Sequence, residues 1–199
     1  MNIIQRAKNI IISPKTEWEI VANEDANITG IMVNYVLVLA CLSAVAAFIG
    51  QGLIGTSVMG IRIGGINWGI YYALNILVSA VLSTLVTAFV IDALAPQFGV
   101  EKNLPRSFQL VAYSFTPVWI GGLLAIIPTL GILGGLLGLY GLYLLYIGLP
   151  PIKKVSAEKQ TGYFALSLVV TIVVYAVIGF VLSRILLATM GLSHGISVL

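Results

Sequence analysis

Five long stretches, each almost free of charge, leave this chain essentially one class of fold. They cover residues 31–50, 70–94, 108–127, 130–149 and 163–190. A helix needs about 20 mostly apolar residues to cross the hydrocarbon of a bilayer, and each stretch is long enough. The expected architecture is an all-α, single-domain bundle of five transmembrane helices over residues 29–199, preceded by a short amphipathic segment over 1–28. With 59% of the residues hydrophobic and only 9% charged, and a mean hydropathy of +1.07, no stretch remains for a separate soluble domain.

An odd number of spans places the two termini on opposite sides. Eight of the ten Lys and Arg residues fall in the N-terminal segment (Arg6, Lys8, Lys15), the second loop (Lys102, Arg106) and the fourth loop (Lys153, Lys154, Lys159). The positive-inside rule then makes the N-terminus cytoplasmic and the C-terminus external, in a cytoplasmic membrane. The same bias produces a pI near 9.0, which points to anionic headgroups before nucleic acid. Four acids precede the first apolar run, so no cleavable signal peptide is expected and span one serves as an uncleaved signal. The single Cys41 excludes a disulfide within one chain.

Residues 131–151, GILGGLLGLYGLYLLYIGLPP, form the most distinctive stretch, with six glycines, three tyrosines and two closing prolines. Gly131, Gly134, Gly138, Gly141 and Gly148 recur at steps of three and four, with Leu145 in the vacant position, and so share one face. Small residues let membrane helices approach closely, which makes this a packing seam. Tyr140, Tyr143 and Tyr146 fall on the other side, where they either bond across helices or line something that binds or permeates.

In the N-terminal segment Ile3, Ile4, Ala7, Ile10 and Ile11 repeat at helical spacing against polar residues. The pattern predicts a short helix on the cytoplasmic membrane surface, with Arg6 and Lys8 toward the headgroups. Ser13-Pro14 ends it, and Thr16 with Glu19 reads as a capping box opening a second helix. Trp18 is placed to anchor at headgroup level. Glu17, Glu19, Glu24 and Asp25 form a negative patch, either a solvated face or a docking surface for a basic partner.

Polar residues inside the spans are few. Asn75, Ser79, Ser83 and Thr87 in span two, and Ser167, Thr171, Tyr175, Gly179 and Ser183 in span five, recur every four residues. Such ridges are helix contact lines or, less commonly, the walls of a hydrophilic pathway. Asp92 and Arg184 are the ionisable groups near the hydrocarbon. They lie at opposite depths, so Asp92 is expected to pair with Lys102 or Arg106 and Arg184 to snorkel outward. In span three, Pro117 frees the carbonyl of Tyr113 and kinks the helix, with Gln109, Tyr113 and Thr116 on one face to compensate. The candidate binding or transport residues are therefore Asp92, Tyr113, Ser114, Thr116, Pro117, Tyr140 and Tyr143.

Hydrolase, NTPase and metal-site signatures are absent. The sole histidine, His194, has no carboxylate or cysteine near it in sequence. Neither catalysis, nor a cofactor, nor a metal is expected.

The order of features resembles the Yip-type family, the Ypt/Rab-interacting integral membrane proteins of five spans. The resemblance rests on Ser13-Pro14 and Trp18, on the run Ala112-Tyr113-Ser114-Phe115-Thr116-Pro117, and on the fourth span ending at Ile147-Gly148. It implies a non-enzymatic membrane protein that in eukaryotes acts in vesicle traffic through small GTPases and fellow family members. This chain has fewer than thirty residues before span one and no Asp-Leu-Tyr-Gly-Pro motif, so it looks like a compact prokaryotic member and a small-GTPase partner is not expected. The leading expectation is a scaffold or interaction protein that binds itself or other integral proteins through span four. The alternative is a small channel or transporter using the kinked third span and the polar ridges.

Overall fold

The computed structural model describes residues 2–58 and 61–189. Its five membrane-length helices are span one (Ile28–Ile54), span two (Ile66–Phe98), span three (Leu104–Ile126), span four (Pro128–Lys153) and span five (Ala157–Thr189). The chain is an all-α bundle of five such helices. Spans one and two are joined by a compact turn whose strands β1 (Thr56–Val58) and β2 (Ile61–Ile63) pair antiparallel, Ser57 opposite Arg62. Beside it Trp68, Tyr71 and Tyr72 pack ring against ring at 5.2–6.2 Å. Met190 and His194 lie outside the described residues.

Two short helices precede the spans. Asn2 caps α1 (Ile3–Ile12) by accepting from the Ile4 N–H at 2.9 Å. The chain breaks at Ser13, and α2 (Pro14–Ala22) starts at once, with proline in the first position, where no backbone N–H is needed. Thr16 and Glu19 thus lie inside α2 rather than at its start, which corrects the expected capping box. The α1–α2 pair is folded into the bundle, α2 packing on span four and α1 on span three.

Span three is the centre. In its most apolar window 61% of residues are buried, against 11% for span five, and it touches spans one, two and four. Span two also packs along spans one and five, and span five closes against span four. Spans four and five consequently present the largest outward surfaces, among them Leu136, Leu139, Ile172, Val173, Val177 and Phe180.

Two local breaks shape this packing. Span one winds as π-helix at Met32–Val36 and again at Phe48–Ile54, and such turns re-aim side chains. The second brings Gly50 so close to span three that a Cβ there would stand 1.8 Å from the Ala125 carbonyl oxygen. Span four continues through Pro150 and Pro151 to Lys153 and does not end at the prolines. Pro150 leaves the Tyr146 carbonyl without its helical donor, and the Gln160 side chain supplies one at 2.8 Å.

Candidate functional site

The kink in span three forms as proline chemistry requires. The helix breaks at Phe115 and resumes at Thr116. Thr116 Oγ1 donates to the Tyr113 carbonyl at 2.7 Å, the acceptor that Pro117 deprives of its usual donor. The Thr116 hydroxyl has one proton, so the Tyr35 hydroxyl, 2.7 Å away, donates to it. The first π-turn of span one is what carries Tyr35 to this position, where its ring meets Tyr113 edge-on at 4.9 Å and Trp119 at 6.2 Å. Ser114 is fully buried next to the break.

On this kink sits an internal charge network. Arg6 Nη1 donates to Glu17 at 2.6 Å, Nη2 donates to Glu24, and the guanidinium stacks 5.1 Å from the Tyr113 ring. Asn9 Nδ2 bonds the second oxygen of Glu17 at 3.0 Å. Arg6 is 4% exposed and Trp18 0%. Both residues therefore depart from the expected membrane-surface role: a bidentate partner set drew Arg6 inward, and a slot over Gly148 admitted the indole. A Cβ on Gly148 would lie 2.7 Å from Trp18 Cε2. Lys8 remains exposed. Glu17 and Glu24 are likewise ion-pair partners inside the chain, not a free acidic face. A cavity of about 290 Å³, lined by Arg6, Glu24, Asp25, Asn34, Tyr35 and Tyr113 among others, opens beside this network.

Asp92 is held in a second polar cluster. Its Oδ1 accepts from the Asn103 N–H at 2.6 Å, from Ser107 Oγ at 3.1 Å and from Lys153 Nζ at 3.1 Å. The Lys153 side chain is 1% exposed, and its ammonium also reaches Ser107 Oγ at 2.9 Å and the carbonyls of Glu101 and Asn103. The partner of Asp92 is thus Lys153, in place of the expected Lys102 or Arg106. Arg106 instead donates to the Val21 carbonyl and to Gln109 Oε1. Lys153 and Ser107 were missed because the apolar run of span four stops at Leu149. The extra turn beyond Pro150-Pro151 is what brings the lysine down onto Asp92. Arg184 is exposed on span five.

The glycine seam of span four faces inward. A Cβ on Gly134 would stand 2.7 Å from the Gly121 carbonyl oxygen, and one on Gly141 2.8 Å from that of Ser114, both in span three. Gly138 is looser, with Val118 at 3.9 Å, and Gly131 opens the helix. At Gly134, Gly141 and Gly148 the seam meets the chain's own span three and Trp18 rather than a second copy. Of the tyrosines, Tyr140 bonds across to the Ile11 carbonyl at 2.7 Å, whereas Tyr143 is exposed.

The two small-polar ridges meet. Spans two and five pack along each other. Ser83 donates to the Ser79 carbonyl of its own helix, Tyr163 donates across to the Ile91 carbonyl, and Thr87, Ser167 and Thr171 are buried with hydroxyls that find no hydrogen-bond partner among the described residues. A cross-helix bond such as that of Tyr163 contributes about 0.6 kcal/mol in a membrane. The ridges therefore form a contact line. Among the described residues no group of three or more His, Cys, Asp or Glu side chains could hold a metal ion.

No curated protein and no solved structure matches the chain. A family model described as the Yip1 domain matches residues 8–181. That stretch takes in α2, the span-three kink with its Tyr35 and Thr116 partners, the glycine seam and the Asp92–Lys153 pair. On that match, over most of its length, this integral membrane protein belongs to the Yip1 domain family.

Proposed function

We propose that this protein is a non-catalytic scaffold or interaction protein of the Yip type, serving membrane organisation or trafficking. In this reading it lies in a cytoplasmic membrane with its N-terminal helices on the cytoplasmic side and its C-terminus outside. Its partners are other integral proteins or further copies of itself, met through the outward faces of spans four and five rather than through the glycine seam. The observation that carries the reading is where the polar groups go. Arg6 with Glu17, Asp92 with Lys153 and Tyr35 with Thr116, side chains a pathway would need, are bonded in pairs inside the chain. The outward faces of spans four and five are largely apolar: Leu139, Val169, Ile172, Val177 and Phe180 are each more than half exposed, while the Ser167 and Thr171 hydroxyls, which find no hydrogen-bond partner among the described residues, are buried on the inner side of span five.

Flux from liposomes loaded with ions and small solutes tests this. Reconstituted protein should give no more release than empty liposomes. Solute-specific release by the wild-type chain would overturn the scaffold reading in favour of a channel. A photo-crosslinker at position 173 in native membranes should form protein adducts, and adducts to lipid alone would count against an interaction surface there.

A further inference from the structure

Independently of that reading, we infer that the end of the bundle carrying α1 and α2 holds a binding site for a phosphate group. Spans two and four finish at this end and span three begins, and a cavity of about 410 Å³ lies between them. Its lining includes Gly99, Glu101, Asn103, Arg106, Lys153 and Lys154. The volume is in the range of small-molecule sites, and the position, at the ends of membrane-length helices, is where lipid headgroups lie.

The site is built from two tiers of cations. Lys153 forms the floor, fixed by Asp92, Ser107 and two carbonyls, so its charge is set in place but its donors are engaged. Above it stand cations with no carboxylate partner among the described residues. Arg106 lines the cavity and uses Nη1 on Val21 and Gln109, with no hydrogen bond from its Nη2 or Nε among the described residues. Lys154 is exposed at the rim. The Lys159 ammonium rests over Gly99, 3.0 Å from where a Cβ would stand. Glu101 is the acid in the lining and Glu158 is the other nearby acid in sequence; with Asp92 already matched by Lys153, the cations outnumber the acids. Converging cations without counter-charges repel one another, and a multidentate oxyanion relieves that repulsion.

The backbone adds an independent observation. Lys154 caps span four at φ 55°, ψ 35°, the described non-glycine residue with positive φ. Glycine is the usual residue at such a cap, and any other side chain there is strained. The residue held in that conformation against its preference is a lysine in the cavity lining.

The decisive variant is Lys154→Gly. It relieves the backbone and removes the charge, so it should fold at least as well as wild type while binding worse. Two probes distinguish the source of the phosphate in the full chain in micelles. Retention of phosphatidylglycerol over phosphatidylcholine of the same chain length is read by native mass spectrometry, and inorganic phosphate by thermal shift against chloride at equal ionic strength. Wild type should favour at least one probe. K154G and Arg106→Gln should each weaken that binding about tenfold, whereas Lys8→Gln should not change it. Response to phosphatidylglycerol alone identifies a headgroup site, and response to both or to inorganic phosphate alone a site open to soluble phosphate. No preference for either probe in the wild type, or binding unchanged in the well-folded K154G protein, would overturn the inference.

Discussion

The Asp92–Lys153 pair ties span two to span four across 61 residues of sequence, and a double-mutant cycle measures what it contributes. At 3.1 Å, an effective dielectric of about 20 gives an attraction of about 5 kcal/mol. Removing one partner of a buried pair typically costs about 3–5 kcal/mol, because the other charge is stranded. The two halves should not cost the same. Asp92→Asn keeps the shape and the bonds from Asn103 and Ser107 but leaves an ammonium whose side chain is 1% exposed, so it should fall at the upper end of that range. Lys153→Met leaves a carboxylate that is 13% exposed and still accepts two hydrogen bonds, and should cost about 2–3 kcal/mol. The double variant restores neutrality and should lose only about 1–2 kcal/mol, far less than the sum of the singles. Unfolding by dodecyl sulfate titration in mixed micelles reads all three. Additive losses, or an Asp92→Asn protein as stable as wild type, would refute the structural role assigned to the pair.

Two further outcomes follow from contacts already described. Gly50→Ala should lower the thermal midpoint through about 1–3 kcal/mol of overpacking against the Ala125 carbonyl, whereas Gly135→Ala, which meets nothing within 4 Å, should leave it unchanged. Thr116→Val should cost about 1–3 kcal/mol by stranding both the Tyr113 carbonyl and the Tyr35 hydroxyl, while Tyr35→Phe, which leaves the Thr116–Tyr113 bond intact, should cost less; equal losses in the two would show that the kink does not depend on Thr116.

The five spans and the kink were legible because they obey short-range rules. Hydropathy over some twenty residues locates a helix, and Pro117 identifies the carbonyl it frees four residues earlier. The direction of the glycine seam was legible from its spacing, but its destination was not, since a close-packing face looks the same whether it meets span three or a second copy. Arg6 and Trp18 were misread for a related reason. An amphipathic pattern reports only that one side avoids water, and here that side met protein instead of lipid. Lys153 escaped notice because the prolines read as a stop. Gln160, ten residues further on, is what allows the helix to continue past Pro150, and nothing in the spacing joins the two.

The burial of α1 and α2 also bears on how the chain is made. These helices leave the ribosome before any span, yet the surfaces that receive them are synthesised far later: the carbonyl of Ile11 waits for Tyr140, 129 residues downstream, and Trp18 for Gly148. At roughly 5–20 residues per second that interval is on the order of ten seconds. Throughout it, Arg6 can already pair with Glu17 and Glu24, but Trp18 and the Ile11 carbonyl lack their receiving surface and remain available to the insertion machinery, to lipid or to other proteins. The first helices made are thus among the last to be placed, and their docking marks the completion of spans three and four.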